Sequence, residues 1–173
     1  MKENLVLIGF MGSGKSTIGA CLAKKLQKKW LDLDQLFIQN YGAIDQFFDK
    51  HGEKAFRKIE EELLDEALQA TDGIISTGGG IVLSAKNRQQ LKQSVVVFLH
   101  ADSAELFRRV KQDQENQRPL ARQSEEAFQT LYQKRYPFYE TCQTKQINTT
   151  NRTPEDICEE ITQKLFSIGS KKN

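Results

Sequence analysis

The sequence predicts an α/β domain in three layers, with helices covering both faces of a parallel sheet, and three observations carry that expectation. Short apolar runs at residues 5–8, 30–33, 73–76, 94–99 and 145–148 alternate with longer stretches of helical period, and strands that alternate with helices pair in parallel. The run Val95, Val96, Val97, Phe98, Leu99 is apolar without alternation, as a central strand buried on both faces requires. Directly after the first run stands Gly9-Phe10-Met11-Gly12-Ser13-Gly14-Lys15-Ser16, a full G-x-x-x-x-G-K-[ST] phosphate loop.

Taken in chain order, the first strand feeds this loop, and an amphipathic stretch over residues 17–29, with Ile18, Cys21, Leu22 and Leu26 on one face, follows it. The second strand run ends in Asp32 and Asp34. Helical patterns are expected over 53–69, 85–92, 103–110, 125–139 and 154–166; the last opens on Thr153-Pro154-Glu155-Asp156, a cap residue followed by proline and two acids in the first turn. Residues 111–124 are almost wholly polar and carry Arg118 and Arg122. Long polar loops within compact domains are often functional, so this stretch reads as a mobile lid, against the plainer alternative of a solvated loop.

At 173 residues the chain suits one domain, burying roughly two-thirds of its unfolded surface, and needs no disulfide or metal staple. A net charge of +2, from 25 basic and 23 acidic residues, is too balanced for a nucleic-acid or anionic-membrane footprint. Cys21, Cys142 and Cys158 form no C-x-x-C pair, and an odd count argues against a secreted disulfide framework. The segment before the phosphate loop is too short for a signal-peptide core, and no run is long enough to cross a bilayer. A cytoplasmic location is therefore expected.

The phosphate loop has a physical logic. A polyphosphate must be met by many backbone N–H groups at close range, and glycines at 9, 12 and 14 remove the Cβ atoms that would block the approach. Lys15 supplies a point charge for the β- and γ-phosphates, Ser16 a hydroxyl for Mg²⁺, and the following helix its positive end. Asp32 and Asp34, two apart at a strand end, would leave on one face; one could hold hydrated Mg²⁺ while the other accepts a proton from a substrate hydroxyl, or Asp34 could simply cap a helix. Arg57, taken alone, reads as a surface ion pair with Glu60 or Glu61. Gly78-Gly79-Gly80 fits either close ligand approach or a tight turn, and Arg135 either a solvated arginine or a carboxylate clamp.

Together the phosphate loop, Asp32-x-Asp34, Phe56-Arg57-x-x-Glu60, Gly78-Gly79-Gly80, Arg118-Pro119-Leu120 and Arg135 resemble, in order and spacing over nearly the whole chain, the shikimate kinases. The resemblance implies a P-loop kinase fold, a five-stranded parallel sheet in order 2-3-1-4-5, in one domain over 1–173 with a phosphate loop at 9–16, a substrate-binding segment at about 32–62 and a lid at about 111–124. It implies transfer of the γ-phosphate of ATP, with Mg²⁺, to the 3-hydroxyl of shikimate. By position, Lys15, Asp34 and Arg118 would be catalytic, Asp34 holding the reacting hydroxyl and either taking its proton or only orienting it. Gly12, Ser13, Gly14, Lys15, Ser16, Thr17, Arg109, Arg118 and Arg152 would bind the nucleotide. Asp34, Arg57, Gly79, Gly80 and Arg135 would bind shikimate, the two arginines gripping its carboxylate, and Ser16 and Asp32 would serve the metal.

Two positions depart from the family pattern: Ala121 stands where a second leucine is usual in the lid, and Trp30 where a smaller residue is usual. A monomer acting on small molecules, with no nucleic-acid or membrane partner, is expected. The rival readings are a gluconate-kinase-like enzyme, a nucleoside monophosphate kinase, and a non-catalytic nucleotide-binding module. The first two differ from a shikimate kinase at the acceptor site, the third in turnover.

Overall fold

The computed structural model describes residues 3–70, 72–113 and 123–166. Five strands, β1 (Leu5–Ile8), β2 (Lys29–Asp32), β3 (Gly73–Ser76), β4 (Val95–His100) and β5 (Lys145–Asn148), pair in parallel in the order β2-β3-β1-β4-β5. Around them lie α1 (Lys15–Leu26), α2 (Leu33–Tyr41), α3 (Ile44–Ala70), α4 (Ala85–Leu91), α5 (Ser103–Gln112), α6 (Glu125–Cys142) and α7 (Pro154–Phe166).

Strand alternation divides the core into two layers. Leu5 and Leu7 of β1, with Ile74, Val97, Leu99 and Ile147, face α1 and α7 through Ile18, Leu22, Ile157 and Ile161. Val6 and Ile8, with Ile75, Val96 and Phe98, face the opposite side, where Phe37, Leu64, Leu91, Leu106, Phe128 and Tyr139 come in from α2 to α6. β1 is buried at every position, as a strand with helices on both faces must be. Its neighbours β3 and β4 lead to opposite edges of the sheet, so a ligand crevice is expected at its carboxyl end.

The boundaries differ from the sequence expectation in instructive ways. Helix α1 begins at Lys15 rather than 17 and stops at Leu26 rather than 29, because Gln27 takes a left-handed conformation and ends it. Strand β2 lies one residue earlier than expected and ends at Asp32. Helix α2 was expected only as the helix that Asp34 could cap, and the first part of α3 was not expected; Gly52, with φ 80° and ψ 170°, kinks α3 between the unexpected turns and the expected ones. Lys111 and Gln112 close α5 rather than opening a loop. The rest of the expected lid, including Arg118, Ala121 and Arg122, lies outside the described residues apart from Asp113, Gln123 and Ser124. Ser124 caps α6 through the Ala127 N–H. Among the described residues no helix is long and apolar enough to cross a membrane.

Candidate active site

The phosphate loop joins β1 to α1. Gly14 caps the helix at φ 89°, a conformation that an L side chain would strain, and this turn aims the first amides of α1 outward. The Lys15 ammonium is buried and donates to the carbonyls of Gly9 at 2.8 Å and Phe10 at 3.0 Å and to Ser13 Oγ at 3.3 Å, folded back along the loop. Ser16 and Thr17 stand exposed on the first turn.

Ser16 donates its hydroxyl to Asp32 Oδ2, so the two expected metal residues meet. The other oxygen, Asp32 Oδ1, accepts the N–H groups of Asp34 and Gln35 at 3.0 and 3.1 Å. Asp32, not Asp34, is therefore the cap of α2, and Asp34 sits in the first helical turn rather than beside Asp32 on a strand. Among the described residues no group of three or more His, Cys, Asp or Glu side chains is placed to hold a metal. An oxygen pair of this kind suits Mg²⁺, which keeps waters and phosphate oxygens for most of its shell.

Trp30, the chain's one tryptophan, gains a structural account. Its indole N–H donates to Ser76 Oγ at 3.0 Å, and Ser76 donates to the Lys15 carbonyl at 2.7 Å. Gly19 makes room for this relay, since a Cβ there would stand 2.1 Å from the Ser76 hydroxyl and 2.5 Å from the indole nitrogen. Trp30 and Asp32, two apart on β2, thus both reach the first turn of α1.

Beside the loop opens a cavity of about 750 Å³ that Met11, Asp34, Glu53, Arg57, Glu60, Gly78, Gly79, Gly80 and Arg135 line, with Phe48, Phe56 and Phe138 as apolar walls. Arg57 donates from Nη1 to Glu60 Oε2 at 2.8 Å and from Nη2 and Nε to Glu53 Oε1 at 3.3 and 3.4 Å. Its partners are Glu53 and Glu60; Glu61 accepts from Ser84 instead. A Cβ on Gly80 would fall 2.2 Å from Arg57 Nη1, so the triple glycine is the surface against which that guanidinium lies. At Gly78 a Cβ would meet the carboxylates of Asp34 and Glu60 at 2.9 and 3.0 Å.

Burial raises the Glu60 carboxyl above its ordinary range, against the opposing pull of the Arg57 guanidinium. Arg135 is buried on α6, and its guanidinium carbon lies 5.6 Å from the centre of the Phe10 ring. Burial also lowers its pKa, an effect the Tyr139 hydroxyl beside it opposes and the nearby charge of Arg57 reinforces. The Arg135 Nε has no partner among the described residues. Tyr139 in turn donates to the Gly79 carbonyl, tying α6 to the triple glycine.

Arg109 donates to the Gly12 carbonyl at 3.2 Å and to the Thr149 carbonyl at 2.8 Å, which joins the phosphate loop to the turn after β5. Arg152, on that turn, donates to the Asn148 carbonyl at 2.9 Å and to Glu160. All the expected site residues except Arg118 are thus gathered at one end of the sheet. Sequence reasoning missed Glu53, Ser76 and Tyr139. Glu53 precedes Arg57 by four residues and Tyr139 follows Arg135 by four, so helical spacing could have found both.

Comparison with known proteins agrees with this geometry. The family model described as shikimate kinase matches residues 11–166. The chain is 50% identical over 167 residues to a shikimate kinase of Enterococcus faecalis, covering 94% of this chain and 98% of that one. It is 44% identical over 163 residues to one from Lactococcus lactis, covering 93% and 97%. Among solved structures it resembles a shikimate kinase from Acinetobacter baumannii in complex with shikimate, with a TM-score of 0.91 and 32% identity over 98% of this chain and 96% of that one. A shikimate kinase from Aquifex aeolicus gives 0.81 and 31% over 94% and 95%.

Proposed function

Because the chain belongs to the shikimate kinase family, it is an ATP-dependent phosphotransferase acting on the 3-hydroxyl of shikimate, a step towards the aromatic amino acids, and we propose that the reaction is divided between the two sites just described. The observation that supports the acceptor half is the convergence of Asp34, Arg57, Arg135 and the triple glycine in one cavity that the phosphate-loop residue Met11 also lines.

In this reading the loop amides and Lys15 hold the phosphates of ATP, and Arg109 and Arg152 frame the adenine from the turn after β5. Ser16 and Asp32 would hold Mg²⁺, which when bound would supply positive charge to the phosphates of ATP. Lys15 leaves the loop carbonyls for the phosphoryl oxygens, where a fixed positive charge counts most as negative charge spreads. Arg57 and Arg135 grip the shikimate carboxylate, since each guanidinium can offer a planar pair of donors. Gly79 and Gly80 present backbone to the ring, and Asp34 orients the 3-hydroxyl and takes its proton. Arg118 reaches the transferring phosphate from the lid. The chain acts as a single domain and a monomer.

The test is ADP release coupled to a spectroscopic assay, run with Mg-ATP against shikimate, gluconate and a nucleoside monophosphate in parallel. Turnover with shikimate alone is expected. Comparable rates with gluconate or the nucleotide would overturn the acceptor-site assignments, and silence on all three would favour a binding module.

A further inference from the structure

The two carboxylates on Arg57 are not equivalent. Glu60 takes Nη1 at 2.8 Å and is only 5% exposed, so it cannot withdraw without leaving an unpaired charge inside the protein. Glu53 takes the other edge of the fork, and its side chain is 61% exposed. It does so loosely: Nε and Nη2 share one oxygen at 3.4 and 3.3 Å, where a matched carboxylate would give each nitrogen its own oxygen at a shorter distance. Glu53 also follows directly on the Gly52 kink, where a Cβ would meet nothing within 4 Å.

We propose that Glu53 is a place-holder: its carboxylate occupies the outward edge of Arg57 while the acceptor site is empty and yields that edge to the carboxylate of the incoming acceptor. The inference rests on the reading of Arg57 as part of the carboxylate grip. Its consequence is selectivity. An anionic acceptor replaces one carboxylate by another and leaves the charge around Arg57 unchanged, whereas a neutral polyol that displaces Glu53 returns only a hydroxyl oxygen, a weaker acceptor for the guanidinium. Arg135, whose Nε has no partner among the described residues, receives the same ligand without such an exchange. The two arginines therefore have different duties, one standing ready and one released only by an anion.

The experiment measures shikimate dissociation constants by calorimetry, and KM and kcat, for the full chain carrying Glu53→Gln, Arg57→Ala and both together. If Arg57→Ala does not fold, Arg57→Ala combined with Glu60→Gln replaces it, which leaves no unpaired charge inside the protein. An exposed ion pair restrains its members by a small factor, so Glu53→Gln is expected to tighten shikimate binding about two- to fivefold, with the change falling on KM. In the Arg57 variant the same substitution is expected to change nothing. Weaker or unchanged binding in Glu53→Gln, while the Arg57 variant binds poorly, would refute the place-holder and leave the grip standing. Equal tightening with and without Arg57 would also refute it. Normal shikimate affinity in the Arg57 variant would overturn the grip itself, and the place-holder with it.

Discussion

The phosphate loop uses consecutive residues and mostly backbone, whereas the acceptor pocket a few residues away is assembled from side chains on α2, α3, α6 and the turn after β3. In the first, the main geometry is fixed by one strand-to-helix turn, and Lys15 rests on carbonyls of the same loop. In the second, each charged group depends on another element: Arg57 lies on Gly80, Glu60 against Arg57, and Tyr139 bridges from Arg135 to Gly79. A contiguous site tolerates change elsewhere in the chain. A convergent one shares its stability with the fold, so damage to it is felt in folding as well as in binding.

That contrast can be broken most sharply at Lys15. Changing Lys15→Ala is expected to cut kcat by roughly 10³-fold, the scale of losing one preorganised charge at the transition state, while shikimate binding measured by calorimetry stays as in the unmodified protein. A parallel loss of shikimate affinity would show that the two sites are one unit.

The acceptor side predicts the opposite pattern. Arg57→Ala removes the counter-charge of a buried carboxylate and is expected to cost about 3 kcal/mol of folding stability near neutral pH. The sign follows from Glu60, whose folded pKa is already raised above 4.5 by burial and rises further without Arg57. A carboxyl whose folded pKa lies above its unfolded value favours the native state only while protonated; both proteins lose that contribution alike from pH 4.5 upward, so the added penalty of the variant opens above the raised Glu60 pKa of the unmodified protein and grows as the pH climbs further. Thermal melts of the two proteins should run parallel around pH 4.5 and diverge above the raised Glu60 pKa towards neutrality; a gap independent of pH would remove Glu60 from the account.

The smallest effect is expected at Ser76→Ala, which cuts the relay from Trp30 to the Lys15 carbonyl and should lower stability by about 2 kcal/mol, the value of the two hydrogen bonds that the Ser76 hydroxyl makes, and raise KM for ATP more than KM for shikimate. Equal changes in both constants would place Ser76 in the general scaffold.

The same contrast governed what the residues revealed before folding. The phosphate loop, the five strand runs and the α7 cap were legible because each is written in neighbouring residues. Asp32 and Asp34 both lie at the carboxyl end of β2, yet the first caps α2 because β2 stops one residue earlier than its apolar pattern implies. Helix α2 was legible only as the helix that Asp34 could cap, and the start of α3 stayed hidden, since Gly42 and Gly52, both with positive φ, break the helical period on either side of a short aromatic stretch. The partners of Arg57 and Arg135 were sought forward along the helix or not at all, and packing of the triple glycine against Arg57 has no counterpart in linear spacing.

The indole of Trp30 sits two hydrogen bonds from the backbone of the phosphate-loop lysine, and the chain has no other tryptophan. The molecule therefore carries its own fluorophore on the nucleotide side of the sheet, outside the acceptor pocket, which has no indole in its wall.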